Sequence, residues 1–265
     1  MPEILHCGDE SSAQNEPIRF LIYGSTGSGK TYSLKTLPEA MRPALILDTD
    51  RGTAAVRSDA GLGTIVTFDF NDQNGKPIMF EQVKAFLQEF HSGRAKLPLD
   101  CTEYKTVVLD SFTVLYSSIL NSVLVWQMSQ SDSRGHTKRA QIDDPPTLAE
   151  YGMIGHHGIR FLQALIQLNR NLIMICHETA KIQDSVTGVS SAGPALPKAL
   201  ATNFPRYFDE VLFAKATGQA DSRQYVWSTQ SSGMYEARSR HLNSPTDIKQ
   251  DFNRYVRAAS IQPSK

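Results

Sequence analysis

Eight consecutive residues, Gly24-Ser25-Thr26-Gly27-Ser28-Gly29-Lys30-Thr31, complete the pattern G-x-x-x-x-G-K-[ST]. The chemistry such a run can do is to hold phosphate. Glycine at 24, 27 and 29 lets the backbone turn tightly and bring its N–H groups against phosphate oxygens with no Cβ in the way. Lys30 would reach the β- and γ-phosphates of a nucleotide, and Thr31 would offer its hydroxyl to Mg²⁺. A helix opening at the end of the run would point its positive dipole end at the anion. The bland alternative is a Gly/Ser turn. Against it stand an apolar strand-like stretch before the run, residues 18–23, and a helix-like stretch after it, about 29–37, that must stop before Pro38.

Three further positions could do chemistry beside a bound phosphate. Residues 106–109 are a short apolar strand that ends in Asp110 and Ser111, about eighty positions after Lys30; a carboxylate so placed sits beside the metal of a bound nucleotide. A second apolar strand, residues 44–47, runs into Asp48, Thr49 and Asp50. Acidic groups at the carboxyl end of such a strand share the rim of the phosphate loop, which makes Asp50 a candidate for orienting a water at the γ-phosphate. A turn-forming Asp before Arg51 and Gly52 explains it equally well. Residues 171–176 form a third buried strand leading into His177 and Glu178. His177 is the better candidate for sensing a γ-phosphate and Glu178 the second, the alternative being a rim histidine with ordinary partners.

The elements that must position these groups are legible as apolar periodicities. Met79, Val83, Phe86, Leu87 and Phe90 recur at helical spacing and mark a covering helix over 78–90. Ser111 can cap a helix whose buried stripe is Phe112, Leu115, Ile119, Val123 and Trp126. Leu148, Tyr151, Ile159, Leu162, Leu165 and Leu168 mark another over about 147–169. Its His156 and His157 have no partners at metal-ligand spacing. Between the last two helices, residues 127–147 are polar and carry Arg134, Lys138 and Arg139, which read as a solvated loop or as contacts to nucleic-acid phosphates. Residues 179–205 are rich in Ser, Gly, Ala and Pro and too broken for one long helix. Runs at 209–215, 224–229 and 234–237 predict an antiparallel β-meander closing the sheet. A capped C-terminal helix follows, with Ser244 as N-cap, Pro245, Asp247 three residues on, and Ile248, Phe252, Tyr255 and Ala259 on one face.

The whole chain narrows the field. It has 265 residues, with 27 basic and 27 acidic side chains, so it carries no global field for DNA or RNA and any such contact must be local. Cys7, Cys101 and Cys176 make no C-x-x-C pair and no zinc-spaced cluster, as reduced thiols would. No basic and apolar leader marks secretion, and no apolar run reaches the roughly eighteen residues of a membrane span. These features predict a soluble cytoplasmic protein. A polar leader at 1–16, a core at 17–240 and a helix and tail at 241–265 are the expected divisions, with a mainly parallel α/β sheet flanked by helices.

The order of landmarks, from the phosphate loop through Asp50, Asp110-Ser111, the Tyr151-Gly152 helix and His177-Glu178 to residues 193–198 and Asp209, resembles the phage-encoded AAA-type nucleotide-binding proteins with a RecA-like core, among them the Sak group of single-strand annealing ATPases. The likeness covers roughly residues 17–240. It implies a RecA-like P-loop NTPase that uses ATP and Mg²⁺, assembles as a homo-oligomer, binds single-stranded DNA in phage recombination, and works with a phage single-strand-binding or replication protein in a bacterial host. Lys30 and Thr31 match the phosphate-loop residues, Asp110 the metal-side carboxylate and His177 the sensor. Asp50 stands where such proteins usually carry a catalytic Glu; one methylene shorter, it holds a water less well and predicts slow turnover. Lys181 and Lys198 fall in the segment that would contact DNA. Arg238 and Arg240 are candidates for a trans-acting finger from a neighbouring subunit, with Lys215 a third. The competing reading is a nucleotide-switched module that recruits or loads another replication or recombination protein with little hydrolysis.

Overall fold

A computed structural model describes residues 16–68, 78–131, 138–139, 141, 143–179, 182–183, 190–219, 222–242 and 246–255. Its centre is a sheet in the order β11-β9-β8-β1-β5-β4-β2-β3. The strands are β1 (Arg19–Gly24), β2 (Ala44–Asp48), β3 (Gly63–Thr67), β4 (Thr106–Asp110), β5 (Asn171–His177), β8 (Glu210–Thr217), β9 (Gln224–Ser228) and β11 (Asp247–Lys249), with β10 (Arg238–Ser239) on β8. The pairs from β3 through β8 are parallel, and β9, β10 and β11 join antiparallel. A small separate hairpin pairs β6 (Ile182–Gln183) with β7 (Ser190–Ser191). The α/β architecture with a mainly parallel sheet and antiparallel C-terminal strands is the one the sequence predicts.

The parallel strands are continuous apolar runs because both their faces are covered. One face, with Leu21, Leu47, Leu109 and Met174, packs under α1 (Met79–His91), α2 (Phe112–Met128), α3 (Leu148–Gln167) and the short α4 (Lys198–Asn203). The other, with Phe20, Ile22, Ile46 and Val108, is covered by Leu34, Leu37 and Met41 after the phosphate loop and by Trp227, Ile248, Phe252 and Tyr255. Phe20 meets the edges of Phe252 and Tyr255 at ring separations of 5.2 and 4.8 Å. Ser111 caps α2, its Oγ accepting from the Val114 N–H. Thr147 and Glu150 form a reciprocal capping box at the start of α3.

Several expectations are corrected. The helix after the phosphate loop is 3₁₀ over Tyr32–Thr36, and it does end before Pro38. Trp126 is 46% exposed, Leu148 91% and Tyr151 45%, so the ends of α2 and α3 run past the surface they cover. Arg139 is buried in an ion pair with Glu150, Nη1 to Oε2 2.9 Å, and is no solvated loop cation. The third of the expected meander runs falls at Arg238–Ser239, beyond 234–237, and pairs with β8 rather than β9, so the C-terminal strands join the sheet antiparallel without forming a meander. Where a capped helix was expected, Asp247–Lys249 is strand β11 on β9. The Asp247 carboxylate is taken by Ser228 Oγ (2.6 Å) and Lys215 Nζ (3.0 Å), which removes it from any cap. Cys7, Arg134, Lys181, Ser244, Pro245 and Ala259 lie outside the described residues.

The C-terminal strands are held by one buried carboxylate. Glu210, fully buried, accepts from the His241 ring at 2.8 Å, from the backbone N–H groups of Arg240 and His241, and from the Tyr255 hydroxyl at 3.1 Å. The hydrogen bond to Glu210 raises the His241 pKa above its ordinary 6.5. A base whose pKa is raised by folding contributes stability that is full below its unfolded pKa and is lost as pH rises through the folded value. The melting temperature of the protein should therefore exceed that of His241→Gln most at about pH 6, with the gap shrinking by about pH 8. A gap that stays constant or widens over that range contradicts the assignment.

Candidate nucleotide-binding site

The register of the sheet gathers the candidate residues at one rim. Gly24 at the end of β1 lies beside His177 at the end of β5, and Asp110 at the end of β4 lies beside Asp48 at the end of β2. Asp50 follows two residues later. The phosphate loop leaves β1 over a close approach to β8, where a Cβ on Gly24 would stand 2.1 Å from the Ala214 carbonyl oxygen. Gly29 has φ +88°, and a Cβ there would meet Gln250 and Tyr225 at 2.7 and 2.8 Å. Only glycine meets both demands.

Lys30 is buried rather than solvent-facing. Its Nζ donates to the carbonyls of Gly24 and Ser25, each at 2.8 Å, so the ammonium lies folded back across its own loop. Burial lowers its pKa, opposed by the field of Asp110. Thr31 Oγ1 donates to Asp110 Oδ2 at 2.6 Å, joining the two candidate metal-side groups. Burial pushes the Asp110 carboxyl up to about 7, with the negative field of Asp50 adding to it. Across the rim His177 Nε2 stands 3.4 Å from Asp50 Oδ2, and the Gly52 N–H holds the other Asp50 oxygen at 2.8 Å. Thr113 Oγ1 accepts from the His177 backbone N–H, fixing the end of β5 to α2. Asp48, which the sequence did not single out, is fully buried behind Asp110, bound by the Thr53 hydroxyl with Arg57 at 3.8 Å.

Lys30, Thr31, Asp50, Asp110 and His177 line a cavity of about 760 Å³ with Thr26, Gly27, Gly29, Tyr32, Gly52 and Tyr225. That volume lies within the roughly 300–1,000 Å³ usual for small-molecule sites. Among the described residues that line it, Lys30 is the only Lys or Arg. Tyr225 and Gln250 are residues that sequence reasoning missed. Gln250 is buried and donates to the carbonyls of Ser28 and Val226, clamping the loop to β9. No local motif marks either one; they reach the loop only because β8, β9 and β11 pair.

Residues 16–241 match the family AAA_24, an AAA domain. The chain belongs to this AAA domain family. No curated protein matches it. Among solved structures it is similar to one titled "Crystal structure of the RadB recombinase", at 15% identity and TM-score 0.42, covering 84% of this chain and 89% of that one. At that score the likeness carries no argument, and the assignment stands on the family match and the sheet.

Membership makes this a P-loop NTPase, a class that binds nucleotide with Mg²⁺. The site fits both ligands. The loop backbone turns through Gly24 and Gly29, where an added Cβ would collide with Ala214 and with Gln250 and Tyr225, the Lys30 ammonium bonds to carbonyls and a hydroxyl of its own loop, and a hydroxyl and a carboxyl of metal-ligand type already touch. Lys30 and the loop N–H groups would hold phosphate oxygens; Thr31 and Asp110 would hold the cation. The cation supplies charge neutralisation at the phosphates. An Asp110 carboxyl that shares its pKa range with neutral pH is one that a divalent cation, by its own charge, would keep ionised. Asp50, held by Gly52 and facing His177, can accept a proton from a water in the cavity.

The remaining candidates are not brought to this rim. Arg238 and Arg240 lie by the amino ends of β1 and β8, away from the phosphate loop of their own subunit. Arg238 donates to the carbonyls of Pro205 and Phe208, and Arg240 pairs with Asp209 at 3.1 Å while its side chain stays 55% exposed. Lys215 pairs with Asp247. Lys198 begins α4. Glu178 bridges Pro194, tying the end of β5 to the segment beyond. Among the described residues no helix is long and apolar enough to cross a membrane.

Proposed function

We propose that the protein is an ATP-hydrolysing RecA-like recombination protein that acts on single-stranded DNA, promoting annealing or strand pairing. The observation that carries the reading is the placement of His177. Its ring pairs with Asp50 in the nucleotide cavity, while its carbonyl accepts from the Ala195 N–H and the next two residues are tied to Pro194 and Gly193. A change at the γ-phosphate that moves His177 therefore pulls directly on the base of the segment from 179 to 205. That segment is the one in which Lys181 and Lys198 would touch DNA, and phage origin and the recombination role rest on the order of sequence landmarks. Slow turnover is consistent with the short Asp50 carboxylate.

Anisotropy of a labelled single strand, titrated with protein in Mg-ATP and in Mg-ADP, tests the reading. Binding should be tighter with ATP, prefer the single strand over a duplex of the same length, and weaken as salt rises. Equal affinity for both nucleotides and both DNA forms contradicts it. ATP-dependent binding to another protein without DNA binding would instead favour the loading module.

A further inference from the structure

The helical face of the sheet, opposite the turn that follows the phosphate loop, carries a second concave surface. A cavity of about 430 Å³ opens between α1 and α3 over an apolar floor of Phe80, Leu87, Phe161 and Leu168, with exposed Ala164 on its wall. A second, of about 310 Å³, adjoins it between α1, α2 and α3 and is lined by Ile119, Val123, Trp126 and Met153. Both share Phe80 and His157. Phe80 forms the partition, its ring 6.0 Å from Phe161 and 6.2 Å from His157 in edge-on contacts. Trp126, nearly half exposed, extends the apolar surface outward.

The two cavities differ in charge. The rim of the first carries Lys84, His91, His156, His157 and Arg160, and among the described residues that line it none is Asp or Glu. Glu81 lines the second cavity and is paired with Lys84 at 2.8 Å. Burial chiefly lowers the His157 pKa, with Lys84, His156 and Arg160 acting the same way and Glu81 opposing them. Lys84 and Arg160 are the formal cations of the first rim and Glu81 is the acid beside the second, so among the described lining residues the double groove carries a small positive excess over an apolar floor in a chain of zero formal net charge.

We propose that this double groove docks an acidic, amphipathic segment of a partner protein. Two large apolar side chains of the segment enter the cavities on either side of Phe80, and carboxylates beside the first anchor face Lys84 and Arg160. The walls are helices whose backbone groups are bonded internally, so recognition falls to side-chain packing and charge, as for an amphipathic helix in a groove. Apolar anchors supply affinity there, and charge complementarity fixes the sign and orientation of the occupant.

The test is a selection from a random twelve-residue peptide library on the full-length protein, followed by anisotropy of the winning peptide. Winners should carry net negative charge and at least two aromatic or large aliphatic residues. Ala164→Trp, which fills the first cavity from an exposed position, and Arg160→Glu should each weaken the winner by about tenfold or more, with the loss for Arg160→Glu shrinking as salt rises. ATP hydrolysis should be unchanged in both variants, since neither residue lies at the nucleotide cavity. No enrichment, neutral or basic winners, or binding indifferent to both substitutions overturns the proposal. So does self-association that Ala164→Trp abolishes, because the occupant would then be a second copy of this chain.

Discussion

Lys30→Ala should leave a folded protein that has lost at least about 100-fold in ATP turnover, the loss expected when one donor to transition-state charge is removed. Among the described residues that line the cavity Lys30 is the only Lys or Arg, so none of the others can replace its charge. The buried ammonium bonds only to carbonyls and a hydroxyl of its own loop. Removing it forfeits those bonds but also the cost of burying a charge, and the two largely cancel. The melting temperature should therefore stay close to that of the parent while turnover collapses. If Lys30→Ala hydrolysed ATP at the parental rate, the assignment of the loop would fail.

Asp50→Asn should separate binding from chemistry. An amide has nearly the size of the carboxylate and can still accept the Gly52 N–H, so the turn after β2 is kept. What is lost is the base, and turnover should fall by about 10² to 10⁴. Nucleotide binding should survive or tighten, because the Asp50 charge is one of the forces raising the Asp110 pKa, and its removal lets Asp110 ionise more readily for the cation. Equilibrium binding of a non-hydrolysable ATP analogue in Mg²⁺, measured beside steady-state turnover, reads both quantities. Loss of binding equal to the loss of turnover would make Asp50 a structural turn residue, the alternative that the sequence left open.

The legible parts of the molecule were the local ones. The phosphate loop is eight contiguous residues whose types are dictated by backbone geometry. Asp110 and His177 could be placed at the cavity rim because each ends an apolar run of a parallel sheet, where strand direction alone fixes which end faces the cavity. Tyr225 and Gln250 were illegible because pairing between strands far apart in the chain brings them to the loop. Periodicity placed Trp126 and Leu148 on the buried stripes of their helices but could not say where those helices outrun the surface beneath them. The C-terminal cap failed through competition: Asp247 is a good capping acid, yet Ser228 and Lys215 on the neighbouring strands hold it in β11. Arg139 looked like a loop cation until Glu150, already committed to its capping box, supplied a buried partner.

In the function proposed above, the phosphate loop, Asp110, Asp50 and His177 form a site that turns over ATP and couples it to single-stranded DNA. The most direct measurement is the initial rate of phosphate release from Mg-ATP by the wild type and Lys30→Ala, each with and without a single-stranded oligonucleotide. Slow basal release by the wild type, strong stimulation by the single strand, and neither in Lys30→Ala are the expected results. Release that ignores the single strand, or that Lys30→Ala retains, would contradict the proposed function.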